Sequence, residues 1–250
     1  MTNSVKLSDS TLAVFKKLHD VDQSLKIASD QVETVTDEDG NEKQVTVLRT
    51  KSMNKTMMVR VEVPEVFPRD VHIYDLREFI SVVGIVKDPV FDFSDDKFVV
   101  ISSTDGKQKL RYIEANPNLI NSFIDKDLSL SKEDAEIVVT EAQFKSVLSA
   151  SHTMKLGYIG FIGDGESISV SAFDKNNGDN RDTNNFSIEL IDSDISMRMF
   201  YKTDVHNISV LLGEGDLTFT IDAKRKVSKI VTQSGKIFWV AFDSNSEFTE

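Results

Sequence analysis

Apolar residues recur along this chain with two periods. At Leu76, Phe79, Val82, Val83 and Val86 they fall on one helical stripe, with Arg77 and Ser81 opposite. Asp75 stands just before that stripe, where its carboxylate can accept a first-turn N–H. A second stripe, Leu12, Val14, Phe15 and Leu18, follows Ser8 as N-cap and leaves Lys16 and Lys17 on the other side, about Ala13. Thr140 opens a third helix, with Phe144, Val147 and Leu148 inward and Ala142, Lys145, Ser146 and Ser149 outward. A fourth helix is expected from Thr203 or Asp204, with Val205, Ile208, Leu211 and Leu212 inward and His206 and Ser209 outward. Each helix thus has an oily back and a small, sparsely cationic front.

Between the helices the period drops to two, the mark of half-buried strands. The strands expected before the second helix lie at residues 5–7, 25–28, 31–35, 44–50 and 56–63, with 66–74 extended into that helix, and three more at 90–93, 97–102 and 108–113 follow it. Asp39-Gly40 and Asp105-Gly106 supply the positive φ of tight hairpin turns. After residue 133 the pattern restarts: a strand, the Thr140 helix, four strands, the fourth helix and three closing strands, with Asp243–Glu250 as a loose acidic tail. Two halves with the same element order predict an α+β fold of two similar domains, residues 1–116 and 133–250, each with two helices on antiparallel sheets. Residues 117–132, with Pro117 and the cluster Leu119, Ile120, Phe123 and Ile124, read as the connector.

Composition narrows the chemistry. A formal net charge of -12 over 250 residues repels nucleic acid at long range, so any DNA contact needs a local basic surface. The absence of cysteine excludes disulfides and thiolate chemistry, and fits a reducing compartment. No apolar run follows Met1–Ser4 as in a signal peptide, and none is long enough to span a bilayer, so a membrane role is not expected. No P-loop and no G-x-S-x-G element occurs. His19, His72, His152 and His206 are scattered, without paired ligand spacing, and neither Asp37–Gly40 nor Asp174–Asn185 has the Gly and Glu positions of a calcium loop. No catalytic residue, metal or cofactor is expected.

The segment Asp70–Val86, with its I-Y-D-L core followed by an apolar helix, resembles the matching strand and helix of the sliding clamps of T-even-like bacteriophages. Lys6-Leu7-Ser8 resembles the start of those proteins, Glu141–Gly157 their third helix, and Ile168–Lys175 the strand after it. The hairpin at Asp39-Gly40 and a connector poor in proline depart from that pattern. The resemblance implies a non-enzymatic homotrimer, two clamp domains per subunit, closing into a pseudo-sixfold ring on duplex DNA in the cytoplasm of an infected bacterium. It would tether the replicative DNA polymerase, be opened by an ATP-driven clamp loader, and contact the late-transcription machinery. Subunits would meet through edge strands, here 107–113 and 185–190, and partner tails would dock near the connector cluster Leu119, Ile120, Phe123 and Ile124.

A clamp must enclose DNA without reading or gripping it. Lys16, Lys17, Arg77, Lys145, His152 and His206, set among Ser and Ala, suit phosphates, which position without specifying. Two rival readings stay open. One is a β-rich virion subunit of tail or baseplate, also acidic and poor in cysteine. The other is an enzyme whose active site has no local motif.

Overall fold

The structure, a computed structural model, describes residues 3–36, 39–174, 184–203 and 207–249. The chain divides into two compact units, Met1–Asp127 and Leu128–Glu250.

The first unit runs β1 (Ser4–Val5), α1 (Asp9–His19), β2 (Leu25–Ile27), β3 (Val32–Thr36), β4 (Glu42–Lys51), β5 (Met57–Val63), β6 (Val71–Ile73), α2 (Leu76–Val83), β7 (Pro89–Asp92), β8 (Phe98–Ser103) and β9 (Lys109–Ile113). One antiparallel sheet has the order β1-β7-β8-β9, a second set has β5-β4-β3, and β2 pairs with β6. Alternation places Phe91, Val99 and Ile101 inward; Phe79 of α2 meets Phe91, and Phe15 of α1 meets Phe79. Gly40 and Gly106 take φ of 83° and 71°, the left-handed turns their hairpins need. Asp37 and Glu38 lie outside the described residues.

The second unit runs β10 (Ala135–Val139), α3 (Glu141–Met154), β11 (Tyr158–Asp164), β12 (Ser167–Phe173), β13 (Asn185–Asp192), β14 (Ser196–Lys202), β15 (Leu217–Asp222), β16 (Val227–Thr232), β17 (Ile237–Ala241) and β18 (Glu247–Thr249). Its sheet orders are β13-β12-β11-β14-β18 and β10-β15-β16-β17. The row Ile137, Phe219, Ile230, Phe238 crosses the latter four strands in register, and all four side chains are buried.

Two expectations need correction. The fourth helix is not there: among the described residues the segment holds one 3-10 turn, Ile208–Leu211. The apolar residues at helical spacing misled, because among the described residues no side chain caps them. The Thr203 hydroxyl donates to the Leu156 and Gly157 carbonyls instead of capping. Asn207 makes no side-chain cap, and Gly213 turns the chain away at φ 77°. Asp204, Val205 and His206 lie outside the described residues. The tail is also not loose. Its β18 pairs with β14, Phe248 opposite Met197 and Glu247 opposite Arg198, after Ser246 is buried against the Phe200 backbone. An otherwise bare edge of β14 rewards three residues of pairing, too short a run to show as periodicity.

Candidate DNA-facing helices, sheet edges and connector

α1 begins where Ser8 accepts the Thr11 N–H (3.2 Å). The Glu65 carboxylate holds that cap, taking the Ser8 N–H at 2.6 Å and the Thr11 hydroxyl at 2.5 Å. Burial of Thr11, Val14, Phe15 and Leu18 turns Lys16 out to solvent and leaves Lys17 half-buried. α2 begins at Asp75, which accepts the Glu78 N–H (2.9 Å). Leu76, Phe79 and Val83 go inward and Arg77 and Ser81 outward, with the acidic Glu78 exposed beside Arg77. The Phe15 and Phe79 rings, 6.1 Å apart, join the two helices, so Lys16, Lys17 and Arg77 ride on neighbouring elements of one unit.

α3 has a full capping box. Thr140 accepts the Gln143 N–H, and the Gln143 side chain accepts the Thr140 N–H (2.9 Å). Phe144, Val147, Leu148 and Ser151 are buried, while Ala142, Lys145, Ser149 and His152 lie exposed along the opposite face. Lys155 follows as an exposed cation in the left-handed cap position (φ 55°). Sequence reasoning missed it because it sits past the last periodic residue; its place after a helix end was the available signal. His206 falls outside the described residues.

Two strands end their sheets. β9 terminates β1-β7-β8-β9, and β13 terminates β13-β12-β11-β14-β18. β9 turns Tyr112 inward, edge-on to Phe79 (5.0 Å), and leaves Lys109, Arg111 and Ile113 exposed, Ile113 at 74%. The Arg111 guanidinium lies 4.3 Å over the Phe98 ring. Lys107 adds a third exposed cation in the preceding turn. β13 leaves Glu189, Ile191 and Asp192 exposed. One edge is therefore cationic and the other anionic, each with an exposed isoleucine.

The connector residues do not form one open patch. Leu119, at the end of the 3-10 turn Pro117–Leu119, is 55% exposed, whereas Ile120 is buried and Phe123 and Ile124 are half-buried. Phe123 makes an isolated bridge to Thr50, the Lys51 N–H donates to the Ser122 carbonyl (2.9 Å), and Lys26 Nζ lies 4.7 Å over the Phe123 ring. Next to this segment lies a cluster that sequence reasoning missed: Arg49, Arg60, Glu33, Glu62 and Asp127. Burial works against the Arg60 charge, but Glu33, Glu62 and Asp127 outweigh it and raise its pKa. Arg49 shares a strand face with Val45 and Val47, and a charge in an apolar phase is the signal that could have revealed it.

Comparison with known proteins agrees with this architecture. No protein-family profile matches the chain. It is 27% identical over 165 residues to the sliding clamp of Vibrio phage KVP40, covering 64% of this chain and 73% of that protein. Among solved structures, A. fulgidus PCNA with the C-terminal region of FEN-1 bound superposes with TM-score 0.63 at 14% identity, over 98% of this chain and 99% of that one. PCNA of Entamoeba histolytica gives 0.63 at 10% identity, over 97% and 100%. The Helicobacter pylori beta clamp bound to a DNA ligase peptide gives 0.64 at 11% identity, over 96% of this chain and 65% of that one. These relatives are clamps, and none supports a virion subunit. The chain is thus similar in sequence to a phage sliding clamp and shares the fold of PCNA and beta clamps.

Proposed function

We propose that three copies of this chain close head to tail into a ring on duplex DNA and tether a replicative DNA polymerase there, without catalysis. The observation that carries this reading is the exposed face of α1, α2 and α3: cations spaced among Ser and Ala on a chain that is otherwise acidic. Such faces touch phosphates weakly and read no bases, so retention comes from topology and the contacts stay salt-sensitive. Lys16, Lys17, Arg77, Lys145, His152 and His206 are the DNA-facing residues in this reading, to which the exposed Lys155 is added.

Ring closure is assigned to β9 of one copy against β13 of the next, a heterologous contact that closes by rotation. Relatives carry a terminal region of FEN-1 or a DNA ligase peptide, and we assign the same kind of occupant, the terminal peptide of a DNA-processing enzyme, to the connector around Leu119. Loading by an ATP-driven loader, contact with late-transcription factors and residence in the host cytoplasm complete the proposal.

The test is a variant with Lys16, Lys17, Arg77 and Lys145 all changed to Ala. Clamp-dependent DNA synthesis at moderate salt falls by about tenfold or more, as several phosphate contacts are lost together. Native mass stays that of a trimer. Undiminished synthesis overturns the DNA-facing assignment, and a monomeric native mass at micromolar concentration overturns the ring.

A further inference from the structure

β4 and β5 bury two guanidinium groups side by side. Arg49 and Arg60 are direct partners across these strands, with side chains only 8% and 10% exposed. Two like charges so placed require carboxylates that reach both. Glu33 of β3 does so, at 3.2 Å from Arg49 Nη2 and 2.8 Å from Arg60 Nη2. Asp127 is the other, with Oδ1 2.7 Å from Arg49 Nε and Oδ2 3.5 Å from Arg60 Nε. Glu62 meets Arg60 alone (3.0 Å), and Gln31 accepts from Arg49 alone (2.7 Å).

The strand edge explains why Asp127 matters. β3 pairs with β4 from Glu42 to Thr46, and the Gln31 carbonyl just before β3 accepts the Val47 N–H (2.8 Å). Beyond that point β4 still pairs with β5 through Lys51, so its other edge would be bare. The connector takes that edge at Thr50 through Phe123, and the Ser122 hydroxyl donates to the Ser24 carbonyl (3.1 Å). These contacts seat residues 122–123, and among the described residues the charged grip on the following turn is Asp127, held between the two arginines.

We propose that Asp127 is a positioning residue. Gripped by Arg49 and Arg60, it holds the connector along β4 so that Leu119 stays presented to the terminal peptide of a DNA-processing enzyme. The proposal rests on the docking role assigned above. Peptide binding then depends on a carboxylate that does not touch the peptide. Its strength follows the order of the connector, since an unordered connector must pay the ordering entropy at the moment of binding.

The experiment uses the full chain and a fluorescein-labelled C-terminal peptide of the polymerase this clamp serves, with amide exchange, peptide affinity and native mass as readouts. Asp127→Asn keeps the shape and removes the charge. Exchange over residues 116–127 speeds up, peptide affinity falls by about tenfold, and native mass is unchanged. Asp127→Glu restores part of both, and Glu62→Gln leaves both as they were. Leu119→Ala weakens binding with no change in exchange. Unchanged exchange in Asp127→Asn, or equal loosening by Glu62→Gln, overturns the positioning role. Faster exchange with undiminished affinity also overturns it. Full affinity in Leu119→Ala instead overturns the docking role, and leaves the exchange result to judge Asp127 on its own.

Discussion

The two units build similar sheets around different cores. In the first, two helices meet over phenylalanine: Phe79 of α2 lies 6.1 Å from Phe15, 6.2 Å from Phe91 and 5.0 Å from Tyr112. In the second, α3 is the only α-helix among the described residues, and strand side chains carry more of the interior, as with Phe161 edge-on to Phe219 at 4.9 Å. β11 and β14 also close tightly there: a Cβ on Gly160 would fall 2.2 Å from the Met199 carbonyl oxygen. What the units share is the plan of one sheet. A short terminal strand, β1 or β18, covers one side, and β9 or β13 ends the other. The difference teaches that the repeat resides in the sheets and their edges, while a helix can shrink to a turn without loss of the architecture.

The core difference has the largest consequence. Phe79→Ala removes the ring that joins α1, α2, β7 and β9, and costs the first unit about 3–5 kcal/mol. The loss extends to β9 through Tyr112. Phe161→Ala costs a similar amount in the second unit but leaves β9 untouched. Amide exchange resolved by segment checks the contrast: Phe79→Ala speeds exchange through α1, α2 and β9, and Phe161→Ala through β11 and β15. If Phe79→Ala leaves β9 as protected as before, the phenylalanine cluster does not support that edge.

The edges come next, because their charges are opposite. In the proposed ring, Arg111→Glu on β9 places like charges against Glu189 and Asp192 of the next copy. Trimer dissociation becomes about tenfold to a hundredfold more favourable per interface, the range of a close charge pair broken in a protein contact. Glu189→Arg does the same from the other side, and the two changes together recover much of the loss. Sedimentation at several concentrations measures all three. Failure of the double variant to recover would show that the edges do not meet.

Much of this was legible in the sequence, for local reasons. Ser8, Asp75 and Thr140 each precede an apolar stripe and each accepts a first-turn N–H, so three helices and their exposed cations could be placed from spacing alone. The fourth helix was illegible because apolar spacing persisted where the capping hydroxyl of Thr203 was engaged elsewhere. β18 was too short to show a period. The arginine cluster was hidden for a different reason: Glu33, Arg49, Arg60 and Asp127 are distant in sequence, and only strand register brings them together. Exposure of the helix faces could be read from periodicity, whereas the pairing of edges depends on strand order, which periodicity does not contain.

The smallest effect separates the units by how each holds a depressed carboxylate. Burial pushes Asp70 of the first unit up, but hydrogen bonds from Lys26 and from the Ser29 N–H and hydroxyl, together with the Lys26 charge, bring it down to about 2. Burial likewise pushes Asp222 of the second unit up. There the Ser131 hydroxyl and the N–H groups of Arg225, Ser131 and Lys132 bring it below the ordinary value with no cation involved. Both folded pKa values are depressed, so both contributions are present above the unfolded pKa near 3.8 and are lost as pH falls below it; for Asp70 the loss is complete near 2. Asp70→Asn should flatten the acid dependence of stability by at most about 1 kcal/mol, since its ion pair is partly exposed and screened. Raising salt should shrink that difference for Asp70→Asn and leave it unchanged for Asp222→Asn, because salt screens charges and not hydrogen bonds from neutral donors. Acid unfolding curves at low and high salt decide it: equal salt dependence in both variants would mean that Lys26 contributes nothing to holding Asp70 ionised.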